Sequence, residues 1–165
     1  MDPTEQSICY GKTAEIAYKD VIGEIETYVG LTIDETNKKF TTEALTTTTT
    51  YTISVSNVTC TAQNFTSKVN VYDEFNPGDI VIESKTICQT ETSDLTIGAG
   101  TVASGGDNNY TYQWYVGTEA ISGANSATYT IPVTYTDVPG TYVFTRKAKD
   151  GTCQGEFIGG GILTL

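Results

Sequence analysis

The sequence predicts an all-β chain of two tandem β-sandwiches, and three observations carry that reading. β-Branched and aromatic side chains, eleven Tyr among them, outnumber helix formers such as Ala, Leu, Lys and Arg, and such side chains suit a half-buried pleated surface. Apolar and polar residues alternate over short stretches with turn signals at intervals of about ten residues. Four landmarks also occur twice in the same order: Ile-Cys at 8–9 and 87–88, Tyr-Val-Gly at 28–30 and 115–117, Thr-Tyr at 50–51 and 141–142, and Thr-Cys at 59–60 and 152–153. A shared order points to duplication rather than to chance similarity of Thr-rich strands.

The repeats meet at residues 73–79, DEFNPGD, which hold turn formers and acids but little to bury. Pro77-Gly78 is a strong turn signal. The expected domains are 1–74 and 75–165, each small enough to gain from a covalent staple. In the first, residues 14–18, 24–29, 51–56 and 65–72 read as strands. Tyr51, Ile53 and Val55 alternate with Thr52, Ser54 and Ser56, and Phe65, Val69 and Val71 alternate with Thr66, Lys68 and Asn70. In the second, Leu95 and Ile97, then Tyr110, Tyr112 and Trp114, then Tyr142 and Phe144 mark the inward faces. No window offers an amphipathic helix, and Gly159-Gly160-Gly161 in a last strand suits a bulge or close packing.

Nine Lys and Arg against twenty Asp and Glu leave a net charge of -11. Clustered cations for a nucleic-acid or anionic-membrane surface are therefore lacking. With no His, the commonest general base and metal ligand is absent. No apolar run approaches a membrane span. The opening Met1-Asp2-Pro3-Thr4 lacks the basic and apolar regions of a signal peptide, so the chain is expected either to stay inside the cell or to have lost a leader. Glu24 and Glu26 could share a strand face, but a solvated face accounts for them better than a glycosidase pair does. The glycine run has no Lys-Ser or Lys-Thr after it and no helix to follow, so it is not a phosphate loop. No enzyme, metal or cofactor is expected.

The four cysteines, Cys9, Cys60, Cys88 and Cys153, permit three connectivities. Pairing within each repeat, Cys9 with Cys60 and Cys88 with Cys153, is the simplest. In a sandwich of this kind the turn after the penultimate strand and the start of the second strand lie at opposite ends. The first Cys of each repeat must therefore sit back along the first strand for that bridge to close. Oxidised cysteines would place the chain outside the cell.

Trp114 within YTYQWYVG, residues 110–117, stands where an Ig strand C carries its core Trp. Thr141-Tyr142 after Asp137 and Gly140 looks like the tyrosine corner of strand F, with Tyr51 as its counterpart. Two residues after these tyrosines stand Ile53 and Phe144, not the Cys of an antibody domain. Together with Ile-Cys before the second strand, FTTEALTTTTTY before the penultimate one and Asp-Gly-Thr-Cys after it, the chain resembles the tandem Ig-like or PKD-like repeat modules of Bacteroidetes surface and secreted proteins. The first half has Thr27 where the second has Trp114. The resemblance implies an extracellular or cell-surface structural or adhesive role within a longer chain. An alternative is a carbohydrate- or protein-binding module using Tyr110, Tyr112, Trp114 and Tyr115 beside Asp107, Asn108 and Asn109 as a candidate ligand face. An exposed Trp114 would favour that module and a buried one the spacer. A virion or fibre decoration domain would use the same residues. The expected partner is a protein or glycan at a cell surface.

Overall fold

Alternation explains the strands best in β6, Thr49–Asn57, where Tyr51 and Ile53 are buried and Thr50 and Thr52 are exposed. A computed structural model describes residues 1–19, 23–57, 59–80, 95–98, 100–136 and 140–164. The chain forms two compact units, Met1–Glu74 and Phe75–Leu165. Both are β-sandwiches of Ig-like order, and among the described residues the fold is all-β apart from one helical turn, α1, at Val133–Thr136.

In the first unit one sheet has the order β1-β7-β6-β3, with β1 Glu5–Ile8, β3 Glu24–Thr27 and β7 Cys60–Val71 around β6. The facing sheet has the order β2-β5-β4, from Glu15–Ala17, Lys39–Thr42 and Leu31–Asp34. Placing β2, β5 and β4 opposite β3, β6 and β7 gives the two-sheet division of an Ig domain. β1 runs parallel to β7, Glu5 opposite Lys68 and Ile8 opposite Val71. Ala14, Ile16, Phe40, Tyr51, Ile53 and Val69 fill the space between the sheets, with Tyr18 and Tyr28 tilted against the Phe40 ring. Burial, with Glu43 adding to it, raises the Tyr51 pKa.

Two expectations change here. Phe65 shares the alternation of β7 but is 43% exposed, whereas Ser67 and Val69, further along the same row, are fully buried. Ile25, not Thr27, is the counterpart of Trp114. Ile25 pairs with Val55, Trp114 pairs with Arg146, and Val55 and Arg146 both lie four residues after the landmark tyrosine. The ladder shifts register between Ile25 and Thr27, and this irregularity displaces the Tyr-Val-Gly match by two positions.

In the second unit one sheet has the order β10-β9-β12-β13, formed by Glu119–Ala120, Tyr110–Val116, Val143–Asp150 and Ile158–Thr164. β8, Leu95–Ile97, pairs with β11, Tyr129–Ile131. Ile80, Ile97, Trp114, Ala124, Ile131 and Phe144 form the main core, and Ala103, Tyr112 and Ala148 form a second cluster. The glycine run falls where the β12–β13 ladder slips, Thr145 facing Ile162 and Lys147 facing Gly159. A bulge of this kind leaves extra residues on one strand.

Candidate functional site

β9 positions the aromatic row, and its alternation divides the row between two faces. Trp114 is fully buried and Tyr112 nearly so, while Tyr110 and Tyr115 are half-buried. The Trp114 indole donates to the Ser126 carbonyl at 2.9 Å, and the Tyr112 hydroxyl accepts from Ala103 N at 3.0 Å. The Tyr110 hydroxyl lies 2.7 Å from the Gly105 carbonyl and 2.8 Å from Asn108 Oδ1. Tyr115 lies on the other face of the strand, with Lys147 Nζ 4.7 Å from its ring centre. The four residues thus form no shared exposed surface, and the candidate ligand face is corrected to core and core edge. The cause is the period of two, which sends Tyr112 and Trp114 inward together.

Arg146 carries chemistry that sequence reading did not single out. It is fully buried on the inward face of β12, between Phe144 and Ala148. Its guanidinium donates to the carbonyls of Ala127 at 2.9 Å, Asp79 at 3.1 Å and Thr101 at 2.6 Å, and lies 5.1 Å from the Tyr112 ring centre. Burial lowers its pKa, opposed by Tyr112 and Asp79. The planar fork satisfies three loop carbonyls at once, so it ties loops together. The strict alternation of Phe144, Arg146 and Ala148 was the signal for it.

A second polar centre closes the same unit at the end of β12. The Asp150 carboxylate, 2% exposed, accepts from the backbone N of Cys153 and Gln154, each at 2.6 Å, and of Thr152 at 3.1 Å. Across from it, Asp107 accepts from Thr152 Oγ1 at 2.6 Å and from Asn109 N at 2.9 Å. The Thr152 hydrogen bond, followed by that of the Asn109 amide, lowers the Asp107 pKa. A depressed carboxylate pKa contributes stability above its unfolded value and loses it as pH falls through the folded one. Hydrogen exchange at Asn109 and Gly151 is therefore expected to quicken only below the ordinary aspartate range; an unchanged rate there would contradict the linkage.

Gly106 makes this closure possible. Its φ is +60°, and a Cβ there would overlap the Asp150 carboxylate. Gly106→Ala is expected to destabilise the second unit by about 1 to 3 kcal/mol. Urea unfolding followed by the fluorescence of the sole tryptophan, Trp114, reads that unit alone.

In the first unit an apolar recess of about 170 Å³ is bordered by Tyr18, Ile25, Phe40, Ile53, Val55 and Phe65. It accounts for the partial exposure of Phe65. Among the described residues no group of three or more His, Cys, Asp or Glu is placed to hold a metal ion. No helix among them is long and apolar enough to cross a membrane.

Cys9 and Cys153 are each disulfide-bonded. Cys88 lies outside the described residues, so the Cys88–Cys153 expectation does too. The expected Cys9–Cys60 bridge does not fit the register of the first unit. Cys9 follows Ile8, which faces Val71 at the end of β7, whereas Cys60 begins that strand. At about 3.3 Å per residue the two ends of β7 are about 36 Å apart, and a bridge needs Cα atoms within about 7 Å.

No family model and no curated protein matches the chain. Among solved structures it is similar to a chimeric titin Z1Z2 functionalised with a KLER exogenous peptide from decorin, at 15% identity and a TM-score of 0.37, covering 96% of this chain and 91% of that one. It is also similar to the C-terminal 282-residue fragment of intimin in complex with the translocated intimin receptor (Tir) intimin-binding domain. There the identity is 15% and the TM-score 0.37, with 93% of this chain and 49% of that one covered. Neither likeness carries a functional argument.

Proposed function

We propose that the chain is a non-catalytic, extracellular pair of Ig-like modules, acting as a spacer or adhesive segment of a cell-surface protein. The oxidised state of Cys9 and Cys153 carries this reading, since disulfides persist in oxidising compartments outside the cytosol. The burial of Trp114 and Arg146 supports the spacer over a stacking site, because the side chains best suited to grip a ligand are committed to the core. The resemblance to repeat modules of Bacteroidetes surface and secreted proteins supports the same placement.

Protease shaving of intact source cells tests the location. Loss of the chain while a cytosolic marker survives is the expected result; protection until lysis overturns it. A glycan array probed with the intact 165-residue chain tests the spacer against the binding module. No retained glycan is expected, and saturable, competable retention would favour the binding module.

A further inference from the structure

We infer that the open edge of β7 is a contact between two copies of this chain, their β7 strands pairing antiparallel about Phe65. The inference concerns the first unit alone, and it goes beyond the spacer or adhesive reading without depending on it.

The two neighbours of β7 cover it unequally. β6 pairs with it from Cys60 to Val69, whereas β1 joins its other side only from Lys68 to Val71. Ahead of Lys68 no strand among the described residues pairs with that second side, and Thr61 to Thr66 are all exposed. Register decides which backbone groups stand there. Lys68 N donates to the Thr4 carbonyl at 2.9 Å and Tyr72 N to the Ile8 carbonyl at 3.0 Å, both on the β1 side. Backbone directions alternate along a strand. Asn64 and Thr66 therefore turn their N–H and C=O to the open side, while Gln63, Phe65 and Ser67 turn theirs to Val55, Ile53 and Tyr51 of β6.

Sheet edges are ordinarily guarded by charged side chains or proline. Residues 44–67, between Glu43 and Lys68, hold no Asp, Glu, Lys, Arg or Pro. A chain of net charge -11 repels its own copy, but this stretch adds nothing to the repulsion. The occupant that suits the edge is extended, uncharged and able to cover an aromatic ring. The same strand of a second copy meets all three conditions, and the mode is addition of a strand to a sheet.

Symmetry supplies the register. Asn64 and Thr66 flank Phe65, so a two-fold axis through Phe65 sets Asn64 of each copy opposite Thr66 of the other. Each of these pairs exchanges both of its backbone hydrogen bonds. Phe65 then falls at the position without hydrogen bonds, where facing Cα atoms are about 4.5 Å apart and the side chains meet on one face. Each ring, 43% exposed at the border of the apolar recess, covers the other. β1 occupies the edge from Lys68 onward, and the β6–β7 ladder slips between Val55 and Asn57. Pairing is thereby confined to residues 63–67, a small contact and a weak one.

Sedimentation equilibrium of the intact chain at up to about 1 mM is expected to show a reversible monomer–dimer equilibrium. A non-reducing denaturing gel of the same sample is expected to show monomer only. Thr66→Pro removes an outward N–H and leaves the β6 ladder intact, and Phe65→Ser removes the ring. Each is expected to weaken dimerisation by about tenfold or more, with circular dichroism unchanged. In the wild type, amide exchange at Asn64 and Thr66 is expected to slow as concentration rises. A chain that stays monomeric throughout, a disulfide-linked dimer, or a dimer that leaves the Asn64 and Thr66 amides unprotected would overturn the inference. The exchange readout needs no variant, so it decides the matter even if Thr66→Pro fails to fold.

Discussion

Trp114→Ala is expected to destabilise the second unit by about 3 to 5 kcal/mol, the range for truncating a large core aromatic. The indole is fully buried against Tyr129, with ring centres 5.9 Å apart. Truncation leaves a cavity between the sheets and removes the donor to the Ser126 carbonyl. Calorimetry is the appropriate readout because the variant has no tryptophan. The transition of the second unit should move well down in temperature while that of the first stays in place. Iodide should quench the wild-type fluorescence poorly; free quenching would place Trp114 at the surface.

Arg146→Ala is expected to cost a similar amount, about 3 to 5 kcal/mol, as when one partner of a buried charged contact is removed. The loss has two parts. The carbonyls of Asp79, Thr101 and Ala127 lose the guanidinium, though Thr101 keeps the Asp79 amide, and the Tyr112 ring loses its neighbouring cation. Arg146→Met keeps the apolar stem and should recover part of the packing but none of the hydrogen bonds. Urea unfolding followed by Trp114 fluorescence orders the three proteins as wild type, Met, Ala. A variant as stable as wild type would show that the loops are held by other contacts.

Physical periodicity explains how much could be read before the structure. Strands with a dry and a wet face, such as β6 and β9, announced themselves through period two. Four short edge elements did not: β1, β4, β10 and β11 have only 4, 4, 2 and 3 residues, too few for a pattern to repeat. The Tyr-Val-Gly match misled because strand register, not sequence spacing, decides which side chain fills the core opposite Trp114. Arg146 escaped notice because a charge is expected outside, although its place between Phe144 and Ala148 pointed inward. Cysteine spacing carried the duplication, but the Cys9–Cys60 pairing it suggested does not fit the strand register. The parallel β1–β7 ladder, which separates Cys9 from Cys60, depends on contacts more than sixty residues apart in sequence.

Limited proteolysis of the intact chain, analysed under reducing conditions, tests most directly the claim that two sandwich modules fold as separate units. The account predicts early cleavage within residues 73–79 and two resistant fragments that retain β-sheet circular dichroism. A single resistant 165-residue core, or scattered cleavage through both halves, would contradict it.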